Sequence, residues 1–306
     1  MTTARNRLMA IAIRAARLYW RSCPVDFGKE WLWRRFGIRH VFWSSTRFLT
    51  RTEWGGTFEC SAQDFIQRYL LVFGIWEPCL TRLLMNRLKP GEVFIDVGAN
   101  VGYFAVLASK LVGPEGSVVA IEASPATCAL LRKNIELNRL TNVRILNKAV
   151  TDRPGYVRIE QPDPDNLALV CTTWENDRTA DAAVPADTLK ELLTEDEWKR
   201  ARFIKIDIEG GETAVLPTVL KAIDSLPQNV EIVAELSDKT IENERGTGGA
   251  VFRAFTDSGF HAYALENSYS NAYYFKRNPA LVLHPLTEVP SVQTDVLFSR
   301  SAGLAT

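Results

Sequence analysis

The sequence predicts an α/β fold with a mostly parallel, doubly wound sheet that helices cover on both faces. From residue 92 onward, short apolar stretches alternate with helical stretches, which is typical of such folds. The apolar stretches, such as VFIDV at 93–97, show no polar alternation, as expected for strands buried on both faces. Ligands of such sheets bind at the carboxyl ends of the strands.

The elements follow from these patterns in chain order. Helices are predicted near 3–20, 64–71 and 76–88, and Lys89-Pro90-Gly91 ends the last of them. Strands are predicted at 92–97, 117–123, 142–150, 202–210, 229–236, 261–266 and 294–300. Helices are predicted between them at 102–112, 125–138, 186–193, 212–225 and 248–260, and 151–183 is predicted to be a hairpin with a loop.

The chain is predicted to divide into an N-terminal extension, 1–60, and a larger domain, 61–306. The larger domain comprises a helical lead-in at 61–90 and an α/β core at 91–300. The extension begins with a basic amphipathic segment, 3–21, which has no acid near it before Asp26. This pattern favours either contact with a membrane surface or packing on the protein itself or on a second subunit, as in a homodimer. One side of the helix would carry Arg7, Arg14, Arg17 and Arg21, and another Leu8, Ile11, Ala15, Leu18 and Tyr19.

Charge and cysteine content exclude several classes of protein. The chain has 36 basic and 36 acidic residues and a pI of 6.9, so no nucleic acid partner is predicted. The five cysteines form no C-x-x-C pair, which argues against zinc sites and disulfide scaffolds. A cytoplasmic location is expected, with peripheral membrane contact through residues 3–21 as an addition.

The most informative motif is D-x-G-x-N-x-G, which lies between a predicted strand and a predicted helix. It comprises Asp96, Gly98, Asn100 and Gly102. The dinucleotide motif G-x-G-x-x-G is missing, and a carboxylate at this turn would repel pyrophosphate. S-adenosylmethionine fits better because it has an ammonium group, a sulfonium and no phosphate. Glu122, at the end of the second predicted strand, is placed to accept hydrogen bonds from ribose hydroxyls.

Several segments together resemble the FkbM-type methyltransferases, a branch of the class I enzymes that use S-adenosylmethionine. The resemblance runs from about residue 64 to 300 and is carried by VFIDVGANVGYFAVLASK, VVAIEASP, NIELNRL, NKAV and FIKIDIEGGE. It implies a seven-stranded sheet with a reversed last strand. It also implies methyl transfer to a hydroxyl, with a small molecule, a sugar or a lipid-linked glycan as acceptor. Carried onto this chain, the cofactor-binding residues are Asp96, Gly98, Asn100, Gly102, Glu122, Ala149 and Val150, the last two beside the adenine.

Lys205, Asp207 and Glu209 alternate along the fourth predicted strand and are the candidate catalytic residues. A carboxylate here can remove the hydroxyl proton during transfer. The two acids could instead hold a divalent cation, but the metal-free interpretation is favoured. A structural role is also open, with Glu209 capping the next helix. Glu235, at the end of the fifth strand, could simply pair with Lys205.

Two other functions fit parts of the pattern. A nicotinamide-dependent dehydrogenase would use a related sheet, but the missing glycine motif and the acid at 96 argue against it. A non-enzymatic, membrane-associated protein could retain the fold, but the acids at 207 and 209 argue for catalysis. The acceptor pocket is expected from the least patterned stretches, 31–60, 151–183 and 266–290.

Overall fold

The structure is a computed structural model that describes residues 47–160, 171–175, 183–208, 210–236, 247–275 and 281–304. It also describes residues 11, 15, 18–20, 23 and 28–32 near the N-terminus. Glu209 and most of the predicted helix 3–21 lie outside the described residues.

Strands and helices alternate from residue 93 to residue 265, as predicted, apart from a group of short consecutive strands between 149 and 187. The strands are β1 (Arg47–Arg51), β2 (Thr57–Ser61), β3 (Val93–Val97), β4 (Ser117–Ile121), β5 (Val143–Leu146), β6 (Ala149–Val150), β7 (Gly155–Glu160), β8 (Cys171–Trp174), β9 (Ala183–Asp187), β10 (Ala201–Ile206), β11 (Glu231–Leu236), β12 (His261–Leu265), β13 (Leu283–Leu286) and β14 (Thr294–Ser299). The helices are α1 (Lys29–Leu32), α2 (Phe65–Phe73), α3 (Pro78–Arg87), α4 (Tyr103–Val112), α5 (Pro125–Leu137), α6 (Leu189–Leu192), α7 (Glu195–Lys199), α8 (Glu212–Lys221), α9 (Thr247–Asp257) and α10 (Asn271–Phe275).

The main sheet has the strand order β13-β12-β14-β11-β10-β3-β4-β5. Strands β5, β4, β3, β10 and β11 are parallel neighbours, and β14 runs antiparallel to both β11 and β12. The doubly wound, mostly parallel sheet and the reversed last strand are therefore confirmed. The main sheet has eight strands and not the seven predicted, because β13 pairs antiparallel with β12 at the edge. Its sequence, LHPL, gives no strand pattern because it contains a proline and two exposed residues, features that edge strands tolerate.

Both faces of the sheet are buried, which explains why apolar and polar residues do not alternate along the central strands. Every residue of β3 is buried. One face packs against α2 to α5 and β2, and the other packs against α6 to α9, with Trp198 and Phe255 among the fully buried side chains. Each fully buried leucine or phenylalanine contributes roughly 1.5–3 kcal/mol, so the sheet gives a rigid support for residues at the ends of its strands.

A small second sheet, β6-β9-β7-β8, follows the third strand of the main sheet. The predicted hairpin within 151–183 is present, since β7 and β8 pair antiparallel. The single strand predicted at 142–150 is wrong, because β5 ends at Leu146 and β6 joins the small sheet. The reason is Asn147, whose Nδ2 donates to the carbonyl oxygens of Glu122 and Ala123, both at 2.9 Å. This side chain turns the backbone out of the main sheet.

The β1–β2 hairpin packs directly behind the turn that precedes α4. Asn134 on α5 joins the two: its Oδ1 accepts from the Glu59 amide at 3.0 Å, and its Nδ2 donates to the Val101 carbonyl at 2.8 Å. Trp54 Nε1 also donates to the Tyr103 hydroxyl at 2.9 Å. The division predicted at residue 60 falls inside β2, and the two-part organisation stays a prediction.

Membrane crossing needs a long apolar helix. Among the helices in the described part of the chain, none is both long enough and apolar enough to cross a bilayer.

Candidate functional site

A cavity of about 890 Å³ opens at the carboxyl ends of β3, β4, β10 and β11, where the parallel sheet predicts a ligand. The predicted site residues meet there, although they are spread over more than 100 positions of sequence. Asp96 and Gly102 lie behind the lining residues: Asp96 is fully buried, and Gly102 is the residue that precedes α4. The predicted residues that line the cavity are Gly98, Asn100, Glu122, Ala149, Val150, Lys205 and Asp207.

The turn between β3 and α4 forms one wall through three residues in the left-handed region. Gly98, Asn100 and Gly102 have φ angles of 75°, 50° and 86°. A Cβ at Gly98 would overlap the carbonyl oxygen of Asp207, so only glycine lets β10 approach this turn. Asn100 tolerates its conformation because its own Oδ1 accepts from the Val101 amide at 2.7 Å. The motif residues thus fix the path of the backbone at the cavity.

Gly98→Ala is expected to lower the free energy of unfolding by roughly 1–3 kcal/mol more than a glycine-to-alanine change that only strains φ. The extra loss arises because the backbone at Asp207 must move away from the new Cβ. Gly91→Ala is the matched control. Gly91 has a φ of 86° with nothing within 4 Å of its Cβ position, so it isolates the conformational strain. Urea unfolding of both variants measures the difference, and equal losses would show that the approach at Gly98 is not tight.

Glu122 follows β4 directly and holds the same turn from the other side. Its Oε2 accepts from the Asn100 amide at 2.9 Å, and its Oε1 accepts from the Ser124 amide at 2.8 Å. Burial raises the pKa of Glu122 to about 7, against the lowering effect of these two amides. Because the carboxyl group lines the cavity, its remaining lone pairs can accept from a ligand.

Lys205 lies between two acids as a consequence of strand pairing. In the parallel β3–β10 pair, Lys205 stands opposite Asp96. Its Nζ lies 3.9 Å from Asp96 Oδ1, 2.9 Å from Asp207 Oδ2 and 5.4 Å from the centre of the Phe104 ring. Burial lowers the pKa of Lys205, but Asp207 and then Asp96 outweigh it, so its pKa lies above the ordinary value. The ammonium group is therefore charged and held by carboxylates on two strands.

Asp96 has no side-chain hydrogen-bond partner for either oxygen among the described residues, and the backbone of Ala105 acts to lower its pKa. Burial raises the pKa of Asp96 to about 6, and the nearby Lys205 opposes the shift. A buried carboxylate costs several kcal/mol unless it is paired. Asp96 therefore depends on the Lys205 ammonium for its charge.

More acids surround Asp207 than the motif alone indicates. Burial, and then repulsion from Asp207, raises the pKa of Glu235 to about 8. Burial, followed by Asp295 and Asp207, raises the pKa of Glu77 well above its ordinary value. Burial therefore makes both acids harder to ionise than an ordinary glutamate, and Glu235, with its pKa raised to about 8, is mostly protonated at neutral pH. Asp207, whose side chain is 34% exposed, differs from them in its direct ion pair with Lys205.

Glu212, the first residue of α8, bonds the turn that precedes this helix, and the capping role considered for Glu209 stays a prediction because Glu209 lies outside the described residues. Its Oε1 accepts from the Ile208 amide at 2.7 Å and its Oε2 from the Gly210 amide at 2.9 Å. Carboxylate oxygens of Asp207, Glu212 and Glu235 lie within 4.8 Å of one another. To bind there, a divalent cation would have to displace two backbone amides from Glu212 and the Lys205 ammonium from Asp207. The predicted pairing of Glu235 with Lys205 is not the arrangement seen, since Glu235 bonds Gln293 and Lys205 bonds Asp207.

Another part of the cavity lining is aromatic, and the sequence indicated it only as part of a broad stretch. Trp76 and Tyr269 stack with ring centres 5.2 Å apart, and Phe65 meets Trp76 edge-on at 5.8 Å. The Tyr269 hydroxyl donates to Glu77 Oε1 at 3.0 Å, and Glu77 has an unusual φ of 40°. The signal in the sequence was the expectation that 266–290 contributes to the acceptor pocket. Trp174, in the predicted hairpin region, also lines the cavity.

The chain matches the family model described as "Methyltransferase FkbM domain" over residues 96–270. It is 30% identical over 179 residues to the 31-O-demethyl-FK506 methyltransferase FkbM of Streptomyces tacrolimicus, covering 49% of this chain and 67% of that protein. It is 28% identical over 187 residues to a probable cobalt-precorrin-6B C(15)-methyltransferase (decarboxylating) of Sulfolobus acidocaldarius, covering 60% and 87%.

Among solved structures, fibrillarin of Aeropyrum pernix with natively bound S-adenosyl-L-methionine is 11% identical to this chain. The match covers 83% of each chain with a TM-score of 0.41. The region that the family model matches includes the turn at 98–102, Glu122, Lys205 and Asp207.

Proposed function

Because the chain belongs to the family of FkbM-domain methyltransferases, we propose that it methylates a hydroxyl oxygen of a small molecule, a sugar or a lipid-linked glycan. Methyl transfer and the use of S-adenosylmethionine follow from the family. The dehydrogenase considered from the sequence is excluded by the same membership. Oxygen as the acceptor atom is the proposal, and it is supported by the acids around Asp207.

The donor set of the cavity fits S-adenosylmethionine. Acids outnumber bases in the wall, and a nearby cation favours the ionised form of a carboxyl group, so the wall suits a ligand with cationic ammonium and sulfonium groups and disfavours a pyrophosphate. When bound, this cofactor supplies a methyl group on a positively charged sulfur. The ionisable residues of the wall are the acids Glu77, Glu122, Asp152, Asp207 and Glu235 and the bases Lys148 and Lys205.

We assign the cofactor to the side of the cavity formed by the glycine turn and the small sheet. The turn at 98–102 presents backbone groups, and Asp96 and Lys205 support it from within the sheet. Glu122 accepts hydrogen bonds from the ribose hydroxyls in this proposal. Ala149 and Val150, in β6, border the adenine.

The observation that carries the proposed chemistry is the Asp207 carboxylate. Its Oδ2 is fixed 2.9 Å from the buried Lys205 ammonium, while a third of the side chain is exposed at the cavity. A hydroxyl that attacks a methyl group must lose its proton, and a positioned carboxylate can accept it. Lys205 is the positioning residue, since its ammonium group donates to Asp207 Oδ2 and fixes the orientation of the carboxylate. Glu209, which lies outside the described residues, stays a second candidate for the proton acceptor.

The aromatic wall supports an acceptor that contains a ring. Trp76 and Tyr269 offer a stacked apolar surface, and Tyr269 with Glu77 adds polar groups at its edge. Such a wall can pack against one face of a sugar or an alicyclic ring while a hydroxyl points toward Asp207. The relative from Streptomyces tacrolimicus, whose name gives an O-demethyl substrate, is consistent with an oxygen acceptor.

Titration calorimetry with S-adenosylmethionine and, separately, with NADH tests the cofactor. Binding of the first alone is expected, because the turn carries an acid and lacks the dinucleotide glycines. Binding of NADH, or failure of folded protein to bind either ligand, would contradict the assignment of the cavity.

Methyl transfer from cofactor labelled with carbon-13 in its methyl group then tests the acceptor atom. Ring-containing alcohols and glycosides are the acceptors to screen, and the carbon chemical shift of the product distinguishes a methyl ether from a C-methyl or N-methyl group. A methyl ether is expected. A C-methyl product, as the name of the Sulfolobus acidocaldarius relative suggests for that protein, would overturn the proposal while leaving the methyltransferase class intact.

A further inference from the structure

Trp174 is a large aromatic residue that lines the cavity and has no part in the proposed proton transfer. Tryptophan side chains are highly buried on average, yet Trp174 is 43% exposed. The strand that carries it, β8, is fastened to β7. The Glu175 amide donates to the Tyr156 carbonyl oxygen at 2.9 Å, and Arg158 Nη2 donates to Glu175 Oε2 at 2.6 Å. The exposed ring therefore belongs to a paired strand.

The face of the hairpin that carries Trp174 is also the face that lines the cavity. Trp174 pairs directly with Val157 across the two strands, and the side chains of directly paired residues lie on the same face. Gly155 comes two positions before Val157, so it belongs to this face as well. Val157 and Trp174 both line the cavity, while Gly155 adds no side chain. The indole ring thus lies on the cavity side of the small sheet.

Gly155 and Arg153 fix the place of the indole ring. A Cβ at Gly155 would lie 2.7 Å from Trp174 Cζ3 and 3.4 Å from Trp174 Cε3, so the ring occupies space that only glycine leaves free. The Arg153 guanidinium lies 4.3 Å from the centre of the ring, which is well within the range of cation–π attraction. The ring is therefore held in position and still keeps much of its surface exposed.

We propose that Trp174 stacks on the adenine ring of S-adenosylmethionine. Val157, its paired partner, belongs to the same buried cluster as Ala149, and Ala149 with Val150 borders the adenine in the proposed function. Adenine presents flat apolar faces, and an aromatic side chain beside such a face stabilises the complex by stacking. The inference rests on the proposed placement of the cofactor, and it adds the residue that covers the adenine.

Titration calorimetry of Trp174→Ala and Trp174→Phe with S-adenosylmethionine and with methylthioadenosine tests the proposal. Methylthioadenosine keeps the adenosine part of the cofactor and lacks the amino acid part, so loss of a contact with adenine weakens both ligands alike. Trp174→Ala is expected to bind each of them roughly 10- to 100-fold more weakly than the wild type. Trp174→Phe, which keeps an aromatic ring, is expected to lie between the two. Thermal unfolding shows that each variant is folded.

Gly155→Ala tests the place of the ring without removing it. The new Cβ must push the indole aside, and Gly155 does not have a positive φ, so alanine there does not strain φ. The affinity for both ligands should fall in the single variant, and adding Gly155→Ala to Trp174→Ala should change nothing further, since both act through one ring. Gly249→Ala on α9 is the matched control, because its Cβ would come no closer than 3.6 Å to Arg253.

Equal affinity of wild type and Trp174→Ala for both ligands would overturn the proposal and leave the proposed methyl transfer intact. If Trp174→Ala weakened S-adenosylmethionine but not methylthioadenosine, the ring would contact the amino acid part and not the adenine. Unchanged affinity for both ligands with a raised KM for the acceptor would assign the ring to the acceptor. A folded wild type that binds neither ligand would overturn the placement of the cofactor itself, and with it this proposal.

Discussion

Asp207→Asn is expected to lower the rate of methyl transfer by about 10²–10⁴-fold while leaving the affinity for S-adenosylmethionine nearly unchanged. The amide keeps the shape of the side chain but cannot take the proton from the attacking hydroxyl. The cavity keeps its turn and Glu122, so the cofactor should still bind. Single-turnover rates and calorimetry on the same preparation separate these two quantities.

Glu235→Gln is the matched comparison, because Glu235 lines the same cavity and its pKa is raised to about 8. A group with that pKa is mostly protonated at neutral pH, so if Glu235 were the base, the wild-type rate would rise with pH through about 8. The proposal expects a much smaller loss in Glu235→Gln than in Asp207→Asn. A large loss in Glu235→Gln, together with full activity in Asp207→Asn, would assign the base to Glu235.

Lys205→Met is expected to destabilise the fold by about 3–5 kcal/mol, the usual cost of removing one partner from a buried ion pair. Methionine fills the space of the lysine stem, so the loss reports the charge and not a cavity. Lys205 is 3% exposed and Asp96 is fully buried, and without the ammonium Asp96 has no charged partner among the described residues. Urea unfolding at neutral pH measures the loss, with Lys199→Met on the exposed Lys199–Glu195 pair as the control that should change little.

The difference in unfolding free energy between wild type and Lys205→Met should shrink as the pH falls. The folded pKa of Asp96 is raised from 3.8 to about 6 in the wild type, and loss of the Lys205 ammonium raises it further. A carboxyl whose folded pKa lies above its unfolded value binds more protons in the folded state, so stability decreases as pH rises between these two values. Near pH 4 Asp96 is largely protonated in both folded proteins. A deficit that is independent of pH would show that packing, and not charge, is lost.

The glycine turn at the cavity could be predicted from the sequence because its signals are local. Asp96, Gly98, Asn100 and Gly102 occupy seven consecutive positions, and each has a residue type that the turn requires. Glu122 was found by its place at the end of a strand. Lys205 and Asp207 were found by alternation, and their contact with Asp96 follows from the parallel register of β3 and β10.

The aromatic part of the cavity could be predicted only as broad stretches, 151–183 and 266–290, because its residues come together only through the tertiary fold. Tyr269 and Glu77 are 192 residues apart, and neither belongs to a local pattern that indicates a binding role. Glu212 was missed for a different reason: its function is to accept from amides in the turn before its own helix, which a helix-start glutamate does without any special motif. The end of β5 before Asn147 was not predicted, because it coincides with hydrogen bonds of a single side chain, which form no pattern in the sequence.

The hydrogen bonds of Asn134 make the turn at 98–102 depend on the β1–β2 hairpin, which lies outside the family-matched region. The hairpin precedes the family-matched region, 96–270, yet Asn134 within that region accepts from Glu59 and donates to Val101. A gene shortened to the matched region would encode a chain whose buried Asn134 lacks one of its two backbone partners. The turn at 98–102 therefore depends on a segment outside the matched region, and removal of the hairpin is expected to destabilise the turn.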